Sequence, residues 1–398
     1  MTSASPGALD GLRVLDLTRV LAGPFCTMLL GDMGADVVKV EPKGGDETRG
    51  WGPPYLGQES AYFLGVNRNK RAITLDPTTA GGRDVLARLA ARSDVLVENF
   101  KLGTLGRWGF DDAWFEAHAP RLVRCSITGY GPTGPRAGLP GYDFILQAES
   151  GLMSLCGEPD GAPTKYGVAI VDLATGMLAC IAILGAIAAR ERTGRGQRVD
   201  VSLFETGLAL LANVASNHLV SGRDARRFGN GHPNIVPYRT YATGDGAIAL
   251  AVGNDAQFAR FAGVTGHPEW ASDPRLQTNR ARVEHRDVVD GLVEAALAAD
   301  SAARWIERLR AAGVPCGRVS TVAEALADPQ TLARGMVETI AHPAAGAFRA
   351  LGIPFTMSGT SARARRPPPT LGQHTDEVLS ELGLDALAIA RLRAAGAV

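Results

Sequence analysis

Residues 12–40 read LRVLDLTRVLAGPFCTMLLGDMGADVVKV, and their pattern is the strongest indication of the fold class. It begins with a short apolar strand over 12–17 and continues into a helix over 24–33, just after Gly23. A second strand, rich in β-branched residues, follows over 35–40. A strand, a helix and a second strand in this succession predict the first unit of a parallel sheet.

The same alternation of strands and helices continues along the chain. Helical segments are predicted over 81–91, 173–189 and 205–219, and further short apolar strands over 72–75, 95–97, 122–127 and 198–203. Such alternation indicates an α/β fold with helices on both faces of a parallel sheet. The dinucleotide-binding pattern Gly-x-Gly-x-x-Gly does not follow the first strand, which argues against a nicotinamide enzyme.

A polar stretch rich in Gly and Pro, residues 221–237, predicts a domain boundary. We therefore expect a smaller domain over 225–330, which contains a strand over 248–252. The RARRPPP stretch, residues 363–369, is expected to be extended because proline cannot continue a helix or a strand ladder. A C-terminal amphipathic helix follows, with Thr375 as its predicted N-cap.

The charge and the cysteines limit the possible classes of protein. Lys and Arg (41) balance Asp and Glu (41), so neither a nucleic-acid partner nor a membrane-surface partner is expected. The five cysteines are scattered and no two form a metal-binding clip. No apolar signal segment follows the N-terminus. Together these features predict a cytoplasmic protein with reduced thiols and no metal site.

The uncharged stretch over 173–189 requires a separate explanation. Its length is at the lower limit for crossing a bilayer. It is rich in Ala and Gly, it stands alone in the chain, and it ends in charged residues at 190–192. We expect a buried, close-packed core helix and no membrane insertion.

Asp172 directly precedes this apolar helix and is the main catalytic candidate. A carboxylate at a helix start meets unpaired backbone N–H groups and the positive end of the helix dipole, which favour its ionised form. An ionised carboxylate is the form that a nucleophile or a base requires. The alternative is an ordinary N-cap, which is the commoner use of Asp at this position. Small neighbours such as Ala169, Ala174 and Gly176 leave room for a ligand.

Two glycine-rich loops and several cations add weaker signals. Loops over 129–141 and 229–233 could cover a reactive centre or offer backbone donors, although plain turn chemistry explains each of them equally well. Lys43 and Lys101 follow predicted strands, where ligands of open α/β sheets bind, so both could contact phosphates.

Motifs in a fixed order carry a resemblance to a known family. They are 15–24 (LDLTRVLAGP), 34–42 (GADVVKVEP), 67–75 (NRNKRAITL), 97–100 (VENF), 138–147 (GLPGYDFILQ), 168–176 (VAIVDLATG), 193–197 (TGRGQ) and 371–379 (LGQHTDEVL). The ordered set resembles the class III CoA-transferase family (CaiB/BaiF family), which includes formyl-CoA, carnitine and dicarboxylate CoA-transferases. The resemblance covers nearly the whole chain.

The resemblance implies a fold and an assembly. It implies a large Rossmann-like α/β domain built from both chain ends, residues 1–224 and 331–398, and a small α/β domain over 225–330. It also implies a homodimer in which two chains are interlocked. The substrates would be an acyl-CoA and a small carboxylic acid, with coenzyme A as a substrate and no permanently bound cofactor.

The resemblance also assigns roles to residues. Asp172 matches the family's catalytic Asp, which forms an anhydride with the acyl group and then an aspartyl-CoA thioester. The mobile glycine loop beside the active site matches Asn230, Gly231 and His232. The contacts to CoA match Leu21, Ala22, Lys43, Leu75, Asp76, Asn99, Phe100, Lys101, Arg107, Gly141 and Tyr142.

Departures from the family's patterns bear on the substrate. Formyl-CoA transferases have Gln at the position of Leu21 and a run of glycines near Gly229, so a formyl and oxalate pair is not expected. The segment over 229–238 resembles dicarboxylate-type members and favours succinyl-CoA as donor.

A racemase or epimerase of 2-methylacyl-CoA thioesters is the alternative. It needs His at the position of Tyr142, whose ordinary phenol pKa of about 10 is unsuited to proton transfer near neutrality.

Overall fold

A computed structural model describes residues 5–398, which fold as two compact units. The first unit continues to Leu152 and also contains 166–211 and 329–398, whereas the second contains 153–165 and 212–328. The chain therefore leaves the first unit twice and returns to it each time.

The strands, in chain order, are β1 Arg13–Asp16, β2 Asp36–Glu41, β3 Tyr55–Leu56, β4 Glu59–Ser60, β5 Lys70–Thr74, β6 Val95–Glu98, β7 Val123–Thr128, β8 Arg198–Ser202, β9 Tyr238–Thr243, β10 Gly246–Ala251, β11 Cys316–Arg318, β12 Val337–His342 and β13 Gly346–Leu351.

The α-helices, in chain order, are α1 Ala22–Asp32, α2 Ala61–Val66, α3 Ala80–Arg92, α4 Thr104–Arg107, α5 Asp112–His118, α6 Asp143–Glu149, α7 Leu152–Leu155, α8 Ile170–Thr193, α9 Leu203–Leu210, α10 Ala212–Ser221, α11 Asp255–Thr265, α12 Asn279–Glu284, α13 Arg286–Leu297, α14 Ala302–Ala311, α15 Val322–Ala327, α16 Pro329–Ala333, α17 Thr375–Glu381 and α18 Ala386–Ala394.

The first unit is built on a parallel sheet with the strand order β5-β2-β1-β6-β7-β8. The chain adds strands on one side of β1 and then reverses direction, so that β6 lies on its other side. Ligands of open α/β sheets bind in the crevice at such a reversal, beyond the carboxyl ends of the strands. The predicted α/β class with a parallel central sheet is confirmed.

Both faces of this sheet are buried, as the short apolar strands predict. Val14 faces one core, which contains α1 and α8, while its neighbour Leu15 faces a second core on the opposite side. The second core contains α3 and also Val378 and Leu379 of α17. Successive strand side chains point to opposite faces, so adjacent apolar residues require two covered faces. Burying an aliphatic side chain of this kind contributes about 1.5–3 kcal/mol.

The second unit has its own sheet and core. Its strands β9, β10 and β11 pair in antiparallel fashion, in the order β11-β10-β9. Tyr241 and Ile248 of this sheet pack with Phe258, Phe261 and helices α13 and α14. This core is separate from the two cores of the first unit.

Two predicted elements are wrong in detail. The single helix predicted over 205–219 is two helices, because Ala212 has a φ of 45° and this left-handed conformation interrupts the helix after Leu211. Thr375 is the first residue of α17 and does not cap it. Its hydroxyl instead accepts a hydrogen bond from the backbone N–H of Thr74 in β5 (3.2 Å).

Both faces of helix α8 are apolar, but only one of them is buried. Among the described residues it is the one helix long and apolar enough to cross a bilayer. Ala179 and Ile183 are fully buried against the sheet, as expected of a core helix. Met177, Leu178 and Ile181 are exposed, with Ile181 at 63%. A single chain therefore leaves one apolar face of α8 open.

Candidate functional site

A cavity of about 460 Å³ lies at the carboxyl edge of the parallel sheet. Residues 19–22 line it after β1, residues 99–102 after β6, and residues 128–131 after β7. Asp172, from the first turn of α8, lines it as well. The cavity thus lies at the reversal between β1 and β6, where the topology favours a ligand.

Most of the residues predicted to contact CoA line this cavity together with Asp172. They are Leu21, Ala22, Asn99, Phe100, Lys101, Gly141 and Tyr142. These residues come from distant parts of the chain, and the sheet brings them together because parallel strands end at one edge. Their contact with CoA stays a prediction.

The other predicted CoA contacts lie outside this cavity. Leu75 is 1% exposed in the core, so only its main chain is available to a ligand. Hydrogen bonds from Thr78, with a smaller contribution from Lys43, hold the pKa of the Asp76 carboxyl below its usual range. Arg107, exposed on α4, donates a hydrogen bond to its own helix at Thr104 (2.7 Å). Their predicted role is not contradicted, because a long ligand extends beyond one cavity.

Asp172 is the third residue of α8 and does not cap it. The N-cap position is Ala169, which has no side-chain hydrogen bond to the helix. The carboxylate that caps the helix is Asp143, the first residue of α6. Its Oδ1 accepts hydrogen bonds from the backbone N–H groups of Val171 (2.8 Å) and Asp172 (3.2 Å). Gln147, one turn further along α6, donates to the other oxygen of Asp143 (2.6 Å).

The protonation of Asp172 also differs from the prediction. Burial, followed by the negative charge of Asp143, raises the pKa of Asp172 to about 7. The helix N-terminus was expected to favour the ionised form, but Asp143 already occupies the backbone donors there and adds a like charge. Near neutral pH the carboxyl group therefore exists in both forms. A carboxylate of this basicity, partly removed from water, suits nucleophilic or proton-transfer chemistry.

Tyr62 of α2 is a neighbour of Asp172 that the sequence analysis missed. Burial, and then the charges of Asp172 and Asp143, raise its pKa to about 12, so its phenol stays protonated beside these carboxylates. Its ring packs edge-on against Trp51, with ring centroids 5.3 Å apart. No sequence pattern connects Tyr62 to Asp172, since they lie far apart in the chain.

Val20, on the cavity wall, has a strained backbone with a φ of 70°. A β-branched residue rarely adopts this conformation, which costs about 1–3 kcal/mol. The buried Lys39 holds the loop by donating hydrogen bonds to the Thr18 carbonyl oxygen (2.8 Å) and to Asp46 (3.0 Å). Asp46 in turn accepts a hydrogen bond from the Val20 N–H (3.4 Å). The strain is therefore maintained by a network beneath the cavity.

A second buried ion pair joins Lys70 to Asp16 (3.0 Å) below the same loop. Burial alone would raise the pKa of Asp16, but the charges of Lys70 and Lys39 lower it overall. Both side chains of the pair are completely buried. Such a pair is costly to break because the remaining charge stays in the interior without a partner.

Two further contacts shape the cavity. The Asn99 side chain binds the backbone of Arg19 twice, accepting from its N–H (3.1 Å) and donating to its carbonyl oxygen (2.8 Å). Asn99 therefore ties the loop after β1 to the loop after β6. Gly141 approaches Gly129 so closely that a Cβ on Gly141 would lie 2.4 Å from the Gly129 Cα, so the close approach of the two ends of this loop requires glycine.

The predicted substrate loop, Asn230, Gly231 and His232, belongs to the second unit. The His232 N–H donates to the Tyr238 carbonyl oxygen (3.0 Å), and the Gly231 N–H donates to the Phe228 carbonyl oxygen (2.8 Å). Burial and the charge of Arg286 lower the pKa of His232, so it is neutral near pH 7. The expected proximity of this loop to Asp172 stays a prediction.

The described part of the chain contains no candidate metal site. Within residues 5–398, no group of three His, Cys, Asp or Glu side chains is placed to hold a metal ion. The cavity instead combines one partly protonated carboxyl group, that of Asp172, with backbone groups of tight loops. Such a set can form and break bonds to a carbonyl carbon through an oxygen nucleophile.

Comparison with known proteins assigns the class. The family model of CoA-transferase family III matches residues 9–375. The chain is 41% identical to succinyl-CoA:glutarate CoA-transferase of Mus musculus, over 98% of this chain and 90% of the relative. It is 42% identical to succinate–glutarate CoA-transferase of Agrobacterium fabrum, over 94% and 95%. A crystal structure of a CaiB/BaiF family protein from Brucella suis is 43% identical, with a TM-score of 0.82, and covers 95% of this chain and 100% of that one.

The chain therefore belongs to CoA-transferase family III, as the ordered motifs predict. Its enzymatic class is CoA transfer, and the racemase alternative is not favoured. By the family resemblance, Tyr142 stands where a racemase requires His. Tyr142 is 59% exposed at the start of α6.

Proposed function

We propose that the protein transfers CoA from succinyl-CoA to a dicarboxylic acid such as glutarate, with Asp172 as the nucleophile. Relatives at 41–42% identity are named for succinyl-CoA or succinate and for glutarate. The proposed role of Asp172 rests on its position in the cavity at the carboxyl edge of the sheet, with its pKa raised to about 7.

The reaction proceeds through bonds to Asp172. A carboxylate oxygen attacks the thioester carbonyl carbon of the donor, the carbon–sulfur bond breaks, and a mixed anhydride and CoA thiolate form. The thiolate attacks the Asp172 carbonyl carbon, which releases the donor acid and leaves an aspartyl-CoA thioester. The acceptor carboxylate then attacks this thioester, giving a second anhydride and the thiolate. Attack of the thiolate on the acceptor acyl carbon restores Asp172 and completes the transfer.

The neighbouring groups suit these steps. Asp143 fixes the first turn of α8 and so fixes the direction of Asp172. Asn99 and the buried Lys39 fix two loops that line the cavity. Anhydrides and thioesters hydrolyse in water, so a site formed by rigid loops around a partly buried nucleophile favours transfer to an acid over transfer to water.

Trapping the covalent intermediate tests the catalytic role. The enzyme is incubated with succinyl-CoA and treated with hydroxylamine or borohydride, and the modified peptide is located by mass spectrometry. We expect the mass change on Asp172 and no change in Asp172→Asn. Modification that persists in this variant, or that falls on another residue, refutes the proposal.

A substrate panel tests the identity of the acids. Donor thioesters of mono- and dicarboxylic acids are combined with mono- and dicarboxylate acceptors, and the acyl-CoA products are quantified. The proposal requires the highest kcat/KM for a dicarboxylyl-CoA donor with a dicarboxylate acceptor. Turnover confined to monocarboxylates refutes the proposed substrate class while leaving the role of Asp172 intact.

We also propose that the protein acts as an interlocked homodimer in the cytoplasm. The exposed apolar face of α8, formed by Met177, Leu178 and Ile181, supports self-association because a contiguous apolar surface is rarely left in water. Sedimentation equilibrium measures the assembly. A monomer at micromolar concentration would refute the dimer.

A further inference from the structure

In the loop after β1, the consecutive backbone polar groups from the Thr18 N–H to the Val20 N–H are each bound by a side chain. These side chains come from β1, from β2, from the segment after β2 and from the segment after β6, and they are Asp16, Lys39, Asp46 and Asn99. Backbone groups outside helices and sheets are satisfied by side chains or by water, and here each of them has a fixed protein partner. The loop is therefore held in one conformation from several sides.

The conformation held in this way is one that the chain does not adopt freely. Val20 has a φ of 70°, in the left-handed region that β-branched residues rarely occupy. Backbone strain of this kind persists only where the surrounding structure enforces it, and it is concentrated at functional sites. Leu21 and Ala22 follow directly, and both line the cavity that contains Asp172. The strained residue thus sets the direction in which the chain enters the cavity wall.

Asp46 connects two of these restraints. Its Oδ2 accepts from Lys39 (3.0 Å), which also holds the Thr18 carbonyl oxygen, and its Oδ1 accepts from the Val20 N–H. Asp46 is itself fixed, because its own N–H donates to Glu41 (2.8 Å). Burial alone would raise the pKa of Asp46, but the charge of Lys39 and hydrogen bonds lower it overall, so the group stays ionised. Asp46 is 3% exposed and is not among the described residues that line the cavity, so it can act on the site only through the loop.

We propose that Asp46 is a positioning residue, which acts through Val20 and Lys39 to hold residues 18–22 in the conformation that receives the acyl-CoA donor. A protein whose competent conformation is only partly populated binds its ligand more weakly, in proportion to that population. Without Asp46, Val20 relaxes towards the ordinary range of φ, and binding of the donor has to restore the strained conformation. The inference rests on the proposed function for the position of the donor beside Asp172.

Equilibrium binding of coenzyme A to the full-length enzyme tests the role of Asp46 without requiring turnover. Coenzyme A is titrated by calorimetry into the wild type, Asp46→Ala and Asp32→Ala, at a temperature at which thermal unfolding shows all three to be folded. Asp32→Ala is the matched control, because Asp32 is also a buried carboxylate and pairs with the buried Arg68 (2.6 Å). It is the last residue of α1, about 15 Å along the helix axis from Ala22 at the cavity.

Only the change beneath the loop is expected to affect binding. We expect Asp46→Ala to weaken binding of coenzyme A at least about tenfold, and Asp32→Ala to bind as the wild type does. Equal losses in the two variants, or an unchanged affinity in Asp46→Ala, overturn the proposal. If Asp46→Ala does not fold, Asp46→Asn takes its place and is compared with Asp32→Asn by the same criteria, because it too leaves Lys39 without its ion-pair partner.

A second substitution tests whether Asp46 acts through Val20. Glycine adopts a positive φ about as readily as a negative one, so Val20→Gly reaches the same conformation with less support from the network. We expect Asp46→Ala to weaken binding of coenzyme A less than about threefold when it is introduced into Val20→Gly, against at least about tenfold when it is introduced alone. An effect of the same size in both backgrounds overturns the proposal.

Steady-state kinetics connect this binding to the reaction. At saturation the bound donor itself keeps the loop in the competent conformation. We therefore expect Asp46→Ala to raise KM for succinyl-CoA at least about tenfold and to change kcat by less than about threefold. A change confined to kcat overturns the proposal. Full turnover in Asp172→Asn refutes the proposed function instead, and the titration with coenzyme A still decides the role of Asp46.

Discussion

Replacing Asp143 by asparagine tests how the structure controls the pKa of Asp172, the proposed nucleophile. The rise of the Asp172 pKa from 3.8 to about 7 has two causes, burial first and the charge of Asp143 second. A shift of this size corresponds to a penalty of about 4 kcal/mol on the carboxylate form. Asparagine removes the charge while keeping an oxygen that can accept from the Val171 N–H. We therefore expect the pKa of Asp172 to fall, but to stay above 3.8 because the burial remains.

The pH dependence of kcat/KM for the acyl-CoA donor measures this change. With a pKa of about 7, only about 1% of Asp172 is ionised at pH 5, and the wild-type rate falls about tenfold for each pH unit below the pKa. In Asp143→Asn the acidic limb moves to lower pH, so the rate at pH 5, relative to the variant's own plateau, exceeds that of the wild type. The gain at pH 5 has an upper limit of about a hundredfold, reached only if the whole shift were lost.

A control and a structural cost accompany this experiment. Glu149→Gln removes one charge from the same helix, but Glu149 contacts Tyr130 and Arg136 and not α8, so its acidic limb is expected to stay in place. In the wild type the Gln147 side-chain amide donates a hydrogen bond to Asp143. In Asp143→Asn the new NH2 group would face this donor, so the hydrogen bond is lost at a cost of about 1–3 kcal/mol of stability. An unchanged acidic limb in Asp143→Asn, or a limb moved to higher pH, would refute the reasoning.

Three further predictions concern stability. Asp172→Asn is expected to stabilise the fold at pH 8 by up to about 4 kcal/mol and much less near pH 5. The reason is that a carboxyl group whose folded-state pKa is raised above the unfolded value contributes stability that is lost as pH rises through about 7. Chemical denaturation at both pH values measures the difference. Gly176→Ala places a Cβ 2.6 Å from the Ala22 carbonyl oxygen and should destabilise the fold by about 1–3 kcal/mol. Its control, Gly291→Ala, lies in open space within α13 and should stabilise the fold by about 0.5–1 kcal/mol. Equal shifts of the thermal unfolding midpoint in the two variants would contradict this. Asp16→Asn leaves the buried Lys70 without its ion-pair partner and should cost about 3–5 kcal/mol, a loss that urea titration detects.

The sequence indicated the position of Asp172, the proposed nucleophile, but not its environment. Asp172 precedes an uncharged helix, and this local pattern together with the ordered motifs was sufficient to select it. The alternative interpretation of Asp172 as an N-cap is wrong, because the helix is capped by Asp143, which lies 28 and 29 residues before the two N–H groups that it accepts from. Only the packing of α6 against α8 brings this carboxylate to the helix end. Tyr62 was missed for the same reason, since its relation to Asp172 is spatial.

The parallel α/β sheet follows from the amino-acid sequence alone, because adjacent apolar residues such as Val14 and Leu15 can be buried only if both faces are covered. The sequence also determined the class of chemistry, through a short carboxylic side chain at the start of an apolar helix and motifs in a fixed order. The tertiary structure decided the charge state of Asp172, because desolvation and the approach of Asp143 depend on contacts between residues that the sequence separates. Local patterns report what a segment can form, whereas pKa values depend on everything that surrounds a group in space.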